Sequence, residues 1–117
     1  LYAVGGYGGL VSQWLGTVEE YNPLTDLWAN RAPLPTGRAN LALVQINGKL
    51  LAAGGENMTP ANALDVLQDY DPATNAWLTK TPSLTGFTRA TASVVNGKML
   101  VFGNRLALAY DPANEIR

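Results

Sequence analysis

The sequence repeats with a period of 49 residues, and this period restricts the possible folds more than any other feature. Each repeat contains an apolar run that ends in glycine, a tyrosine followed by Asn-Pro or Asp-Pro, and then a tryptophan. Corresponding positions are 49 residues apart in three pairs: Gly5 and Gly54, Tyr21 and Tyr70, Trp28 and Trp77. A third, divergent copy contains Gly103, 49 residues after Gly54, and then Tyr110-Asp111-Pro112. A repeat of this length indicates units that stack side by side and share their cores.

Each repeat also carries the signals of antiparallel β-strands. Leu1–Val4, Leu50–Ala53 and Met99–Phe102 are short and continuously apolar, as expected of strands that are covered on both faces. Asn47-Gly48 separates two apolar runs, and such a pair favours a hairpin turn in which both central residues have positive φ. The Asn-Pro and Asp-Pro pairs begin a second kind of tight turn. Together these signals predict an all-β chain in which each repeat is one blade of a β-propeller.

The length of the chain predicts only part of such a propeller. At 117 residues the chain contains about 2.4 repeats, whereas propellers typically have 4–8 blades. We therefore predict a single partial propeller domain over 1–117, with an incomplete blade at 1–31, a complete blade at 38–80 and an incomplete blade at 89–117. The expected neighbours of these blades are further blades of the same chain or copies of it.

Composition argues against several classes of function. The formal net charge is −1 and Lys and Arg do not cluster, which argues against nucleic-acid binding. No apolar run approaches the roughly 20 residues needed to span a bilayer, which argues against membrane insertion. The chain has neither Cys nor His, so thiolate chemistry and the commonest metal ligand are absent. We expect no catalytic residue, no cofactor and no metal site in this segment, and the cellular compartment stays open.

One set of residues is predicted to serve packing. A glycine at the end of an apolar run permits close backbone approach or a bulge, and a phosphate-binding loop would need a following helix and further glycines. Each indole buries about 150–250 Å², so we expect packing between blades, with sugar stacking as the alternative. The predicted packing residues are Gly5, Gly6, Tyr21, Trp28, Gly54, Gly55, Tyr70, Trp77 and Gly103.

The pattern resembles kelch repeats over essentially the whole chain. The resemblance rests on Gly-Gly, Tyr-(Asn/Asp)-Pro, Trp six residues after the Asn or Asp, Arg after a Pro-rich link, and Asn-Gly-Lys before an apolar strand. It implies a partial kelch β-propeller with four-stranded antiparallel blades. For the complete repeat it implies strands near 39–46, 49–54, 65–70 and 76–80.

The resemblance also implies a position for the arginine of the family. It falls on Arg38 in the link before the complete repeat. The corresponding position in the next repeat is Phe87, and Arg89 is displaced from it by two residues. The second link therefore departs from the family pattern at this position.

The two ends of the blades are expected to differ. Because strand direction alternates, the Asn-Gly and Asx-Pro turns share one end, while the long loops and the Pro-rich links share the other. The loops Tyr7–Gly16 and Glu56–Asp65 have equal length but unrelated residues, which favours recognition, although solvated connectors fit the same pattern. Arg and aromatic residues at such a surface are typical of binding hot spots. The candidate binding residues are Tyr7, Trp14, Arg38, Glu56, Asn57, Met58, Asn62 and Arg89.

Three hypotheses for function follow. The first is a non-catalytic kelch-repeat interaction or recognition module that binds a protein or a small carbohydrate-like ligand through these loops and links. The second is part of a kelch-propeller enzyme, similar to sugar or alcohol oxidases or sialic acid isomerases, with its catalytic residues outside this segment. Copper oxidation needs His, Tyr and Cys ligands, and this segment offers only Tyr. The third is a self-assembling chain that buries its open strand edges against copies of itself.

Overall fold

A computed structural model describes residues 1–8, 13–57, 62–83, 85–103 and 106–112. These residues form strands and contain no helix, which confirms the predicted all-β class. The strands are β1 (Tyr2–Val4), β2 (Tyr7–Gly8), β3 (Gln13–Trp14), β4 (Val18–Asn22), β5 (Leu27–Arg31), β6 (Ala42–Ile46), β7 (Lys49–Ala53), β8 (Leu67–Asp71), β9 (Ala76–Thr79), β10 (Thr91–Val95), β11 (Lys98–Gly103) and β12 (Leu106–Tyr110).

The strands assemble into three successive sheets and one small hairpin. The first sheet has the order β1-β4-β5, the middle sheet β6-β7-β8-β9 and the third sheet β10-β11-β12. The hairpin β2-β3 lies in the long loop of the first repeat. All of these pairings are antiparallel. The four-stranded antiparallel blade predicted for the complete repeat is therefore confirmed, with strands that begin up to three residues later than expected.

Strand register places the two kinds of turn at the same end of the middle sheet. Ile46 pairs with Lys49 across the Asn-Gly turn, and Asp71 pairs with Ala76 across the Asp-Pro turn. Asn47 has φ 54° and the glycine after it has φ 75°, as a type I′ turn requires. We call this the turn end and the opposite side, which carries the long loops and the links, the loop end.

The core lies between the sheets, because successive side chains of a strand point to opposite faces. At the first interface, between the first and middle sheets, Val18 and Ala52 are buried together with partly buried Leu43. At the second interface, between the middle and third sheets, the buried residues include Val44 and Val101. Leu43 and Val44 are neighbours on β6 and serve different interfaces. The middle sheet is therefore covered on both of its faces.

Candidate binding surface at the loop end

An aromatic pair on the β2-β3 hairpin contributes to the loop end of the first repeat. Tyr7 pairs with Trp14 across the hairpin, and their ring centroids are 4.6 Å apart with a tilt of 52°. The hairpin is fixed to the link that follows the first sheet, because the Gly6 N–H donates to the Arg38 carbonyl at 2.8 Å. Tyr7 is 55% exposed and Trp14 is half-buried. Sequence reasoning named both residues, and the structure brings them into contact.

The equivalent position to Tyr7 in the middle repeat is Glu56, and its side chain is buried. Its backbone forms an antiparallel bridge with Ala39. One carboxylate oxygen, Oε1, accepts hydrogen bonds from Asn40 Nδ2 at 2.7 Å, Thr88 Oγ1 at 3.1 Å and Arg89 Nε at 3.2 Å. The hydrogen bond from Asn40 lowers the pKa of Glu56 most, although burial opposes this effect. Glu56 thus joins the two links at the loop end and leaves little of its own surface exposed.

Arg89 is exposed at the loop end and held in place. Its side chain in the ion pair with Glu56 is 73% exposed, whereas that of Glu56 is 2% exposed. Arg89 has φ 58° and Asn40, 49 residues earlier, has φ 55°. The Arg89 N–H donates to the Asn40 carbonyl at 3.0 Å, so the two corresponding backbone positions are linked directly. A guanidinium anchored at Nε leaves its outer edge toward solvent, where it can meet a partner.

The expectation that Arg38 belongs to an exposed surface needs correction, because the side chain is completely buried. Nε donates to the Gly54 carbonyl at 2.6 Å and Nη2 donates to the Ala52 carbonyl at 3.1 Å. Nη1 donates to the Thr36 carbonyl at 2.9 Å and to Gln68 Oε1 at 2.6 Å. Burial lowers the pKa of Arg38 to about 10, so the group stays charged at neutral pH. These acceptors lie inside the first interface, where the guanidinium satisfies carbonyls that water does not reach.

Phe87 occupies the corresponding place in the second link and is also buried. Its backbone makes the same contact as that of Arg38, since the Gly55 N–H donates to the Phe87 carbonyl at 2.8 Å. A Cβ on Gly54 would lie 2.6 Å from that carbonyl, and one on Gly5 would lie 2.5 Å from the Arg38 carbonyl. Both glycines also have positive φ, of 66° and 71°. The close approach of each link to the backbone of the preceding repeat therefore depends on the glycine that follows β1 or β7.

The remaining candidates lie in the second long loop. Asn57 and Asn62 are both half-buried. Within the described residues Asn62 Oδ1 is buried without a hydrogen-bond partner, which is uncommon for a buried polar atom. Met58 lies outside the described residues.

The sequence matches the family described as "Kelch motif" over residues 1–35 and 37–82, which is most of the chain. This chain belongs to the kelch family. Kelch-like protein 35 of Homo sapiens is 40% identical over 62 residues, which are 53% of this chain and 10% of that protein. Influenza virus NS1A-binding protein of Homo sapiens is 44% identical over 57 residues, which are 49% of this chain and 9% of that protein. The matched segment thus spans about a tenth of these curated relatives.

A solved structure described as "Structure of YjhT" has the same fold. It superposes with a TM-score of 0.78 and 18% sequence identity, over 97% of this chain and 46% of that chain. At this identity the likeness concerns the fold. The predicted kelch β-propeller architecture is confirmed.

The tyrosines and tryptophans of the kelch motif form matching pairs. Tyr21 and Trp28 have ring centroids 5.1 Å apart, as do Tyr70 and Trp77. Trp77 Nε1 donates to the Ala32 carbonyl at 2.8 Å and so contacts the neighbouring blade. Trp28 is 50% exposed.

Three polar residues of the kelch links and strands were missed by sequence reasoning. Asn40 and Thr88 bind Glu56, and Gln68 binds Arg38. Positions 40 and 89 are 49 residues apart, and each follows the family arginine position of its own link by two residues. The repeat itself therefore held a signal for Asn40.

Among the residues that the structure describes, no group of His, Cys, Asp or Glu side chains could hold a metal ion. No helix there is long and apolar enough to cross a membrane.

Proposed function

We propose that this kelch chain is part of a protein-binding module and that the partner contacts the loop end. One observation carries the proposal: Tyr7 and Glu56 occupy the same position of the repeat, yet one is an exposed aromatic and the other a buried carboxylate. The backbone around them is repeated, since the N–H of each preceding glycine donates a hydrogen bond to a carbonyl of a link. Variable side chains on a constant scaffold are where binding specificity resides in many folds.

The chemistry of the loop end supports a protein partner. Tyr and Arg are enriched among residues that dominate binding energy, because they combine large contact areas with directed hydrogen bonds. Tyr7 packs against Trp14 and Arg89 is anchored by Glu56, so both side chains lose little conformational freedom when a partner binds. A small carbohydrate-like ligand is the other ligand class, and the test below separates the two.

The experiment is a selection of binding peptides against the immobilised chain, followed by affinity measurements with variants. We expect Tyr7→Ala and Arg89→Ala to weaken the selected peptides by about ten-fold each, as truncation of a hot spot does. Matched controls are Lys49→Ala and Lys98→Ala, which remove exposed side chains at the opposite end. All four variants should keep the circular dichroism spectrum of the parent chain.

Two outcomes would contradict the proposal. Peptides that lose affinity with the lysine variants and not with Tyr7→Ala or Arg89→Ala would place binding at the turn end. A chain that selects no peptide but binds oligosaccharides on an array, with loss in Tyr7→Ala, would favour the carbohydrate-like ligand.

A further inference from the structure

Asn-Gly occurs at two places in the sequence, Asn47-Gly48 and Asn96-Gly97, which are 49 residues apart. Each pair forms the centre of a hairpin turn, one between β6 and β7 and the other between β10 and β11. The asparagines have φ of 54° and 52°, and the glycines have φ of 75° and 74°. Each pair is followed by an exposed lysine. The two turns therefore share sequence and backbone conformation, so a difference in their chemistry has to come from their surroundings.

An asparagine that precedes glycine can cyclise onto the main chain, because glycine has no Cβ to hinder attack by its nitrogen. The glycine nitrogen bonds to Cγ of the asparagine, the bond from Cγ to Nδ2 breaks, and ammonia leaves with the proton of the attacking N–H. One water molecule then opens the resulting succinimide. Breaking the new bond from nitrogen to Cγ gives aspartate. Breaking the bond from nitrogen to the main-chain carbonyl carbon gives isoaspartate, in which the main chain runs through the side chain.

Both turns are accessible to this reaction. The asparagine and the glycine of each turn are exposed, and a Cβ on Gly48 or Gly97 would meet no atom within 4 Å. The hydrogen bond of such a turn joins the residues on either side of the pair, so it does not engage the glycine nitrogen. A left-handed asparagine does not hold Cγ against that nitrogen, so the main chain must rotate before the ring closes. The rate of cyclisation therefore depends on how often each turn opens.

The strands that hold the two turns differ in burial. Ile46, which precedes the first turn, is 5% exposed, and together with Val44 it belongs to the core of the second interface. Val95, the corresponding residue of β10, is 47% exposed. In β10 Ala92 is partly buried against this core, and the other four residues of the strand are exposed. Local opening costs least where few apolar side chains are buried, so the hairpin of the third sheet should open more often.

We propose that Asn96 is a site of spontaneous deamidation in the folded chain, and that Asn47 is protected from the same reaction by the core around β6. Reaction at Asn96 adds a carboxylate to the turn, and the isoaspartate form also lengthens its main chain by one carbon atom. Because this kind of turn fits two residues of normal length, isoaspartate should loosen the pairing of Val95 with Lys98. The inference does not depend on the loop-end function, since neither turn contains a candidate binding residue.

The test follows both sites in one sample of the folded parent chain, incubated at a mildly alkaline pH that favours loss of the proton from the glycine nitrogen. Trypsin cleaves after arginine and lysine, so it releases the two Asn-Gly pairs in separate peptides, 39–49 and 90–98. Deamidation raises the mass of a peptide by about 1 Da. Methylation by an isoaspartate carboxyl methyltransferase distinguishes isoaspartate from aspartate. We expect peptide 90–98 to deamidate at least about five-fold faster than peptide 39–49.

The same chain unfolded in urea is the matched control for local sequence. Each pair is preceded by a β-branched residue and followed by lysine, so the two rates should agree within about two-fold once the strands separate. A five-fold difference that persists in urea would assign the preference to the sequence around each pair and would overturn the proposal.

Substitutions beside the two turns test whether burial sets the rate. Ile46→Ala removes a buried side chain next to Asn47 and should raise the deamidation rate there toward that of Asn96. Val95→Ala removes an exposed side chain and should change the rate at Asn96 by less than about two-fold. Ile46→Val is the milder replacement if Ile46→Ala does not fold, and it should change the rate at Asn47 in the same direction.

Other results would also overturn the proposal. Equal rates at the two sites of the folded chain, or a faster reaction at Asn47, would contradict protection by the core. An unchanged rate at Asn47 in folded Ile46→Ala or Ile46→Val would do the same. Absence of reaction at Asn96 over a time in which the unfolded chain reacts completely would show that the turn itself protects its asparagine.

Discussion

The two interfaces of this chain use the same backbone contacts, but the central side chain is charged at the first interface and apolar at the second. At the first interface the link is buried through Arg38, whose guanidinium binds main-chain carbonyls and Gln68. At the second interface the corresponding residue is Phe87, which packs among apolar side chains such as Val101. Both links nevertheless accept a hydrogen bond from a glycine N–H of the preceding sheet at 2.8 Å. The repeat therefore preserves main-chain geometry, while the side chains at each interface find different partners.

Single substitutions of Arg38 and of Phe87 by methionine should show the difference between the two interfaces most clearly. Arg38→Met leaves buried carbonyls without donors, so we expect a loss of about 3 kcal/mol or more in the free energy of unfolding. Phe87→Met keeps an apolar side chain of similar volume and should cost less than about 1.5 kcal/mol. Urea unfolding of the two variants measures the difference. Equal losses would contradict the assignment of a polar network to the first interface alone.

Glycine substitutions should show what the two interfaces share. Gly5→Ala and Gly54→Ala each add a Cβ at 2.5–2.6 Å from a link carbonyl and impose a positive φ on alanine. We expect each to lower the free energy of unfolding by about 2–4 kcal/mol, from left-handed strain together with overpacking.

The matched control for these glycines is Gly48→Ala in the Asn-Gly turn. Gly48 also has positive φ, but a Cβ there would meet no atom within 4 Å. Its cost should be about 1–2 kcal/mol, from strain alone. Urea midpoints of the three variants give the comparison, and a larger loss at Gly48 than at Gly54 would argue against close approach as the cause.

Loss of the indole N–H should cost more stability at Trp77 than at Trp28. Trp77→Phe removes the donor to the Ala32 carbonyl, and we expect a loss of about 1 kcal/mol in the free energy of unfolding. Trp28→Phe in the same chain removes a donor from a half-exposed ring and should change stability by less than half as much. Thermal and urea unfolding of both variants test this, and equal effects would contradict a stabilising role for the Trp77 bond.

Acid should weaken the junction that Glu56 makes at the loop end, and this is the smallest effect expected. The hydrogen bond from Asn40 lowers the pKa of Glu56 in the folded chain, so the unfolded chain binds the proton more tightly. The stabilisation is complete above the unfolded Glu pKa of about 4.3 and is lost as the pH falls through the lower folded pKa. Glu56→Gln should therefore reduce the acid dependence of the urea midpoint. An acid dependence identical to that of the parent would contradict this role.

The fold was predictable because its signals are local or periodic. The Asn47-Gly48 turn was predicted from two residues whose positive φ the structure contains. The blade was predicted from the 49-residue spacing, and the middle sheet has the expected four strands. Strand starts were less accurate, since β6 begins at Ala42 and the prediction began at 39. Residue 39 instead makes an isolated bridge to Glu56, outside the regular ladder.

The candidate surface was predictable only in part. Tyr7 and Trp14 were named from the loop, and their contact depends on a hairpin that forms within that loop. Arg38 was placed on the candidate surface because its Pro-rich link lies at the loop end and because arginine is typical of binding hot spots. Three of its four acceptors lie 14 to 30 residues away in sequence, which residue type alone does not reveal.

By itself the sequence determined the period, the strands and turns of each blade, and the membership of the chain in the kelch family. These depend on backbone propensities and on spacings that repeat along the chain. Tertiary structure decided which charged groups are buried and which are exposed. Arg38 and Glu56 lie inside while Arg89 lies outside, because burial is set by the neighbours that packed sheets bring together and by the carbonyls and donors that must be satisfied there.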